Sequence, residues 1–246
     1  MRLISLIGLF IFFLQCPANA QQSSLNRLDE QGRKQGEWRA FDERGNLKFT
    51  GQFRDGIPYG EFRYYYKNGD LKAVSVFSNE GRETFTRTYH KNGFLMAEGK
   101  YLDRKKDSVW KYYSEWDENL LLSIEIYENT LKEGVWLNYY PDGEVAQKIT
   151  YKNDVRQGPW KQFFNNGKLK LEARYENDEL EGRMVVYYPD GSVNISGTYH
   201  SGMKEGEWVY FTGDAEKIKV EEYANGHLMH AEVYIEEEVL PDTIPE

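Results

Sequence analysis

Four histidines are the first candidates for chemistry. His227 and His230 stand three residues apart, as half a zinc site would, but no second pair with ligand spacing flanks them, so they read as surface residues. No nucleophile elbow, phosphate-binding loop or dinucleotide fingerprint occurs. Asp-Gly and Asn-Gly pairs are frequent, yet the alternating ligand positions of a calcium loop are missing around them. The sequence therefore predicts no catalysis, no metal and no cofactor. The remaining chemistry is that of aromatic rings at binding surfaces. Trp116 lies in the acidic stretch Ser114-Glu115-Trp116-Asp117-Glu118-Asn119, close in sequence to Tyr112. Tyr66, Tyr140, Phe164 and Tyr188 recur with the strand parity of a tryptophan column. Trp116, Tyr112, Tyr140, Phe164 and Tyr188 form the predicted partner-binding set. The opposing reading is that the recurring rings pack between stacked hairpins and that Trp116 folds over Leu120 and Leu122.

The elements that position these rings come from a repeat. Units start at Gly36, Gly60, Thr84, Ser108, Gly134, Gly158, Gly182 and Gly206. The interval is 24 residues throughout except for one of 26, which follows Ser108. Two residues into each unit stand Trp38, Phe62, Thr86, Trp110, Trp136, Trp160, Met184 and Trp208. Two further columns, one running from Phe41 to Phe211 and one from Phe53 to Tyr223, are aromatic in every unit. A fixed period of this length decides the architecture, since each unit buries its apolar face only against its neighbours.

Within a unit, an Asn-Gly or Asp-Gly pair marks a tight turn, as at Gly69, Gly93, Gly143, Gly167 and Gly191. Around it the chain alternates: Leu169, Leu171, Ala173 and Tyr175 face one way, and Lys170, Glu172 and Arg174 the other. Each unit is thus strand, tight turn, strand, connector. One such hairpin is marginal in water, whereas an array stabilises itself through its stacked aromatics. The expected fold is all-β: an elongated, single-layer antiparallel sheet of tandem hairpins. The two residues added in the fourth unit fall in the turn 114–119, and insertions in repeat arrays map to loops, often on the binding face.

The pattern Gly-x-Trp-x-x-Tyr/Phe-Tyr-x-Asn-Gly-x-Leu, fullest over residues 134–182, resembles the bacterial variant of the MORN repeat. The resemblance covers residues 36–229. Proteins of this kind are commonly grouped with YwqK-type antitoxins of toxin–antitoxin modules. That grouping implies a protein partner, a toxin in such modules, and brings no catalytic residue with it. Thr84 and Ser108 in place of the leading glycine, Thr86 in place of tryptophan, and an early Gly213 depart from the pattern.

The expected organisation is a signal peptide over 1–20, an N-terminal cap over 21–35, eight repeats over 36–229, and a cap strand with an acidic tail over 230–246. The basic start, the apolar run Leu3 to Leu14 and the Ala18-Asn19-Ala20 site predict cleavage after Ala20 and export to the periplasm or beyond. A lipid anchor at Cys16 is the less favoured alternative, because Gln15 stands where a small residue is needed. No later segment is apolar enough to span a bilayer. Without Arg2, 30 basic residues face 40 acidic ones, and this net charge of −10 repels nucleic acid. The reading is a non-enzymatic exported scaffold that binds another protein; the second reading is a glycan- or cell-wall-binding module using an aromatic stripe.

Overall fold

The structure is a computed structural model and describes residues 25–235. The signal peptide, Cys16 and the acidic tail lie outside the described residues. Twenty strands form one antiparallel sheet, and no helix occurs among the described residues. Sixteen strands are the arms of eight consecutive hairpins, starting with Lys34–Phe41 and Leu47–Arg54 and ending with Met203–Phe211 and Lys217–Ala224. Arg27–Leu28 and His227–Val233 close the two ends, and the short pieces Leu131–Lys132 and Glu179–Leu180 precede two of the leading glycines.

The two kinds of turn divide their chemistry in an unexpected way. In the Asn-Gly and Asp-Gly turns only the glycine is left-handed, with φ of 92° at Gly69, 89° at Gly143 and 100° at Gly191. The preceding side chain instead accepts an amide from two residues on: Lys168 N–H donates to Asn166 Oδ1 at 3.0 Å, and Ser192 N–H to Asp190 Oδ1 at 2.8 Å. Two successive left-handed residues, the hairpin turn that matches strand twist, occur in the connectors. There φ is 50° and 70° at Asn153 and Asp154, and 49° and 67° at Asp103 and Arg104. In the last unit the left-handed place belongs to Ala215 (φ 64°), so the early Gly213 is a departure that the backbone does not follow.

The leading residue of a unit makes a bulge. Gly60 has φ of 66°, and Thr50 pairs with Arg63 while Gln52 pairs with Tyr59, so Gly51 faces a looped-out stretch of its partner strand. Ser108 keeps this conformation (φ 60°) without being glycine. Thr84, which is β-branched, does not. Its strand runs in unbroken register from Ser78–Glu83 to Ala73–Thr88. The residues saved from the bulge enlarge the connector before it, where Asn79, Glu80 and Gly81 are left-handed and Arg82 N–H donates to Asn79 O at 3.0 Å. Repeat length is kept while the irregularity moves from strand to turn.

The bulge also explains how the tryptophans are seated. The indole N–H of Trp110 donates to Lys100 O at 3.0 Å, that of Trp136 to Ile126 O at 3.0 Å, and that of Trp208 to Thr198 O at 3.2 Å. On this face Phe62, Trp110, Trp160, Leu171, Met184 and Trp208 are buried, and a buried cluster spans Trp160 to Trp208. Several of the rings meet edge to face, as at Tyr199–Trp208 with centroids 5.0 Å apart.

Candidate functional site

A cation stands over the aromatic face in most units. Two residues before the leading glycine, Lys34, Lys132 and Lys204 place Nζ 4.7, 4.6 and 4.4 Å from the ring centroids of Trp38, Trp136 and Trp208. Lys106 covers Trp110 at 4.7 Å, and Arg156 covers Tyr175 at 4.3 Å. This ladder escaped sequence reading because its position falls outside the Gly-x-Trp frame, although the basic residues at 34, 106, 132, 156 and 204 were its signal.

Leu180 takes the cation's place in the seventh unit, and the ladder is also broken in the second and third units. Pro58 occupies the cation's place in one. In the other, Arg82 sits in the enlarged connector and pairs with Asp103 at 2.9 Å, two N–H groups on two carboxylate oxygens. The hydrogen bonds from Arg82 hold the Asp103 carboxyl below its ordinary range. Thr86 also leaves the ring position of the third unit empty. A cleft of about 670 Å³ results, walled by Phe62, Tyr64, Phe77 and Tyr101, with Arg104 at its rim. Its floor is the buried pair Ser75 and Thr86, whose hydroxyls share a hydrogen bond of 2.8 Å. Burial pushes the phenols of Tyr64 and Tyr101 above their ordinary value, so both stay neutral. The cleft suits an apolar or aromatic group.

Trp116 is 90% exposed, which excludes packing over Leu120 and Leu122. Its loop is nonetheless well tied. Ser114 is buried, its N–H donates to Leu120 O at 2.9 Å, and its Oγ accepts the amides of Trp116 (3.0 Å) and Asp117 (3.2 Å). The neighbouring turn reaches across as well, with Asn92 Nδ2 donating to Glu115 O at 2.8 Å.

The other predicted site residues lie elsewhere. Tyr112 is on the tryptophan face beside Trp110, with Lys106 Nζ donating to its hydroxyl. Tyr140 and Tyr188 are struts: their hydroxyls donate to Phe163 O (2.7 Å) and Phe211 O (2.8 Å) in the next unit, as Tyr66 does to Tyr89 O (2.8 Å). Phe164, which has no hydroxyl, follows the strand Val155–Phe163 and opens the turn, its carbonyl accepting the Gly167 N–H. No ring contact links Trp116 to Tyr112 or Tyr140 among the described residues.

His200 Nδ1 lies 3.1 Å from Glu181, whose carboxyl is lowered first by the Ser201 amide and then by this contact. No group of three His, Cys, Asp or Glu able to hold a metal occurs among the described residues. Nor is any helix among them long and apolar enough to cross a membrane.

Fold and face together define a tandem-hairpin repeat scaffold. Residues 34–55, 58–79, 132–153, 156–177 and 180–201 match the MORN repeat variant, which supports a MORN-repeat protein. The third and fourth units, holding Thr86 and the Trp116 loop, lie outside the matched segments. No curated protein matches. Among solved structures, the crystal structures of TcdB2-TccC3-Cdc42 and TcdB2-TccC3-TEV are similar over 87% and 78% of this chain, at 13% and 12% identity and TM-scores of 0.22 and 0.20. This chain spans 14% and 11% of the length of those chains.

Proposed function

We propose that this protein is a non-enzymatic exported scaffold that binds another protein, with Trp116 as the anchor of the contact. The observation that carries this reading is an indole left 90% exposed at the tip of a loop whose backbone is fixed from both sides. A fixed loop loses little entropy when its ring is buried in a partner, and tryptophan is the residue type most enriched among binding hot spots. Export rests on the leader-like residues 1–20, and the resemblance to antitoxin families suggests a toxin as the partner. A protein is favoured over a glycan because the regular aromatic stripe has little free ring to offer. Its tyrosine hydroxyls are engaged by backbone carbonyls, and lysines cover the tryptophan rings.

The test is capture of proteins from an envelope extract by wild type and by Trp116→Ala, with affinity and melting temperature measured on both. Loss of about 2 kcal/mol or more of binding at an unchanged melting temperature is expected. Equal affinity of the two proteins would remove the loop from the contact.

A further inference from the structure

Two features of the array remain unmatched within the chain, and each has what the other lacks. The first is the ring position at Thr86. Elsewhere on this face, except at Met184 of the seventh unit, a ring lies across the strand before it, and three of these strands carry a glycine beneath the ring: Gly51 under Phe62, Gly99 under Trp110 and Gly197 under Trp208. In the third unit the equivalent place is an open cleft of about 670 Å³, within the range of ligand pockets. Its two floor hydroxyls share one hydrogen bond, so both oxygens are engaged within the floor. At the rim stands the exposed Arg104, which makes no ion pair among the described residues. Arg104 lies outside the ladder itself: the next unit's ladder cation, Lys106, covers Trp110, and no ring lies under Arg104 among the described residues.

The second feature is Trp116, an indole without packing of its own. It is flanked by Glu115, Asp117 and Glu118, which are all exposed, while Arg104 and Lys105 are exposed beside the cleft. Ring meets slot; Glu80 and Arg104 both line the cleft, and Arg104 with its neighbour Lys105 supplies the positive charge that the acidic loop can meet.

Within one chain the two cannot meet. The Trp116 loop belongs to the row of turns that includes Gly69 and Gly143, and the cleft opens among the connectors at Gly56, Gly81 and Arg104. These rows are the two long edges of the sheet, separated by strands of 8 or 9 residues, roughly 25 Å of chain.

We infer that the cleft over Thr86 receives Trp116 of a second copy of this chain. This rests on the reading of Trp116 as the contact residue and names the partner. Donor and acceptor are different surfaces, so the contact is head-to-tail: a pair keeps one free slot on one copy and one free ring on the other, and assembly continues beyond the dimer or closes into a ring.

The experiment is sedimentation velocity on the purified full chain over a wide concentration range, with two variants. Trp116→Ala keeps the slot and loses the ring. Thr86→Trp fills the slot with the residue type found at this position in five other units and keeps the ring. Wild type should grow beyond the dimer with concentration. Each variant alone should stay monomeric, its dissociation constant raised about tenfold or more. An equimolar mixture of the two variants should form a dimer and stop there, because only one productive pairing remains. Arg104→Glu, on an exposed turn, should weaken wild-type assembly without disturbing the packed face. If the larger ring prevents folding, Thr86→Met takes the place of Thr86→Trp, since Met184 already fills the equivalent position of the seventh unit.

A wild type that is monomeric at all concentrations, or a mixture that fails to dimerise while both variants are folded, overturns the inference. The outcome for the broader reading is separate. A monomeric wild type that captures an envelope protein through Trp116 leaves the proposed function standing without self-assembly. Self-assembly as described, with capture of other proteins equal in wild type and Trp116→Ala, removes the second protein partner and leaves the inference.

Discussion

The indole of Trp110 lies directly on the backbone of Gly99: a β-carbon at Gly99 would come within 2.3 Å of Trp110 Cδ2. Gly99 sits in Leu95–Leu102 and Trp110 in Lys105–Tyr113, so a strand position that favours β-branched residues elsewhere is closed here to any side chain. The displaced atoms would be a large ring buried to 2% exposure and hydrogen-bonded through its N–H, which has no room to yield. Gly99→Ala should therefore destabilise the protein by about 1–3 kcal/mol. Gly197→Ala, with 2.2 Å to Trp208, should do the same, whereas Gly213→Ala, where a β-carbon meets nothing within 4 Å, should change the denaturant midpoint little.

Tyr140 separates a strut from a binding residue. Its hydroxyl donates to Phe163 O at 2.7 Å and so ties one hairpin end to the next. Tyr140→Phe keeps the ring and removes this bond, leaving the carbonyl one donor short. The expected loss is about 1 kcal/mol of stability, with partner affinity per folded molecule unchanged. A binding defect at constant stability would place the hydroxyl in the contact.

The repeat was legible in the sequence because the same side-chain type returns at the same offset, and period and alternation translate directly into hairpins. That Trp38 and Phe53 share a face needed the register, in which Trp38 pairs with Gly51 and Gly36 with Phe53. The turns were less legible, because Asn166-Gly167 and Asn153-Asp154 look alike in composition while only the second is left-handed at both residues. The cleft was not legible. Thr86 was visible as a departure, but an absent ring does not announce what surrounds the space. That depended on Thr84 refusing the bulge and carrying Arg82 out into the connector. Trp116 was visible as an extra aromatic in a longer turn, and the sequence left packing and exposure equally open; only the folded loop shows it exposed.

Trp160 is an exception within its own column. Its indole Nε1 is buried without a hydrogen-bond partner, whereas Trp110 and Trp208 donate to backbone carbonyls. Thr150, the residue ten before it as Lys100 is ten before Trp110, instead donates its hydroxyl to Pro159 O at 3.0 Å. An unpaired buried donor costs about 1–3 kcal/mol, and phenylalanine does not carry it. Trp160→Phe should thus be clearly milder than Trp110→Phe, which loses both ring area and a satisfied bond. Chemical denaturation of the two variants compares them directly, and equal losses would mean that the Trp160 N–H is satisfied in solution.

Acid stability should turn on carboxylates that receive several N–H donors, and Asp29 is the clearest. It accepts the amides of Gln31 (3.0 Å) and Arg33 (2.9 Å), Arg33 Nε at 2.7 Å and Gln35 Nε2 at 2.9 Å. Desolvation works against its charge, but the bonds from the Arg33 amide, Gln35, the Arg33 side chain and the Gln31 amide outweigh it and take the carboxyl from 3.8 to about 2. A group whose folded value lies below its unfolded value stabilises above the unfolded value and loses that contribution as pH falls through the folded one. The window is therefore from 3.8 down to about 2. Asp103 and Asp178, both lowered by bonds from arginine, titrate in the same direction. Melting temperature should be flat from neutrality to about pH 4.5, where Glu181 and Glu221 begin to lose their contribution, and should fall further through the Asp29 window. Asp29→Asn should melt lower at neutral pH, since an amide replaces an oxygen acceptor with a donor facing the same N–H groups, and should lose less than wild type on acidification. Parallel pH profiles for the two proteins would show that Asp29 is not held below its ordinary range, and would move the acid sensitivity of the N-terminal cap to another carboxylate.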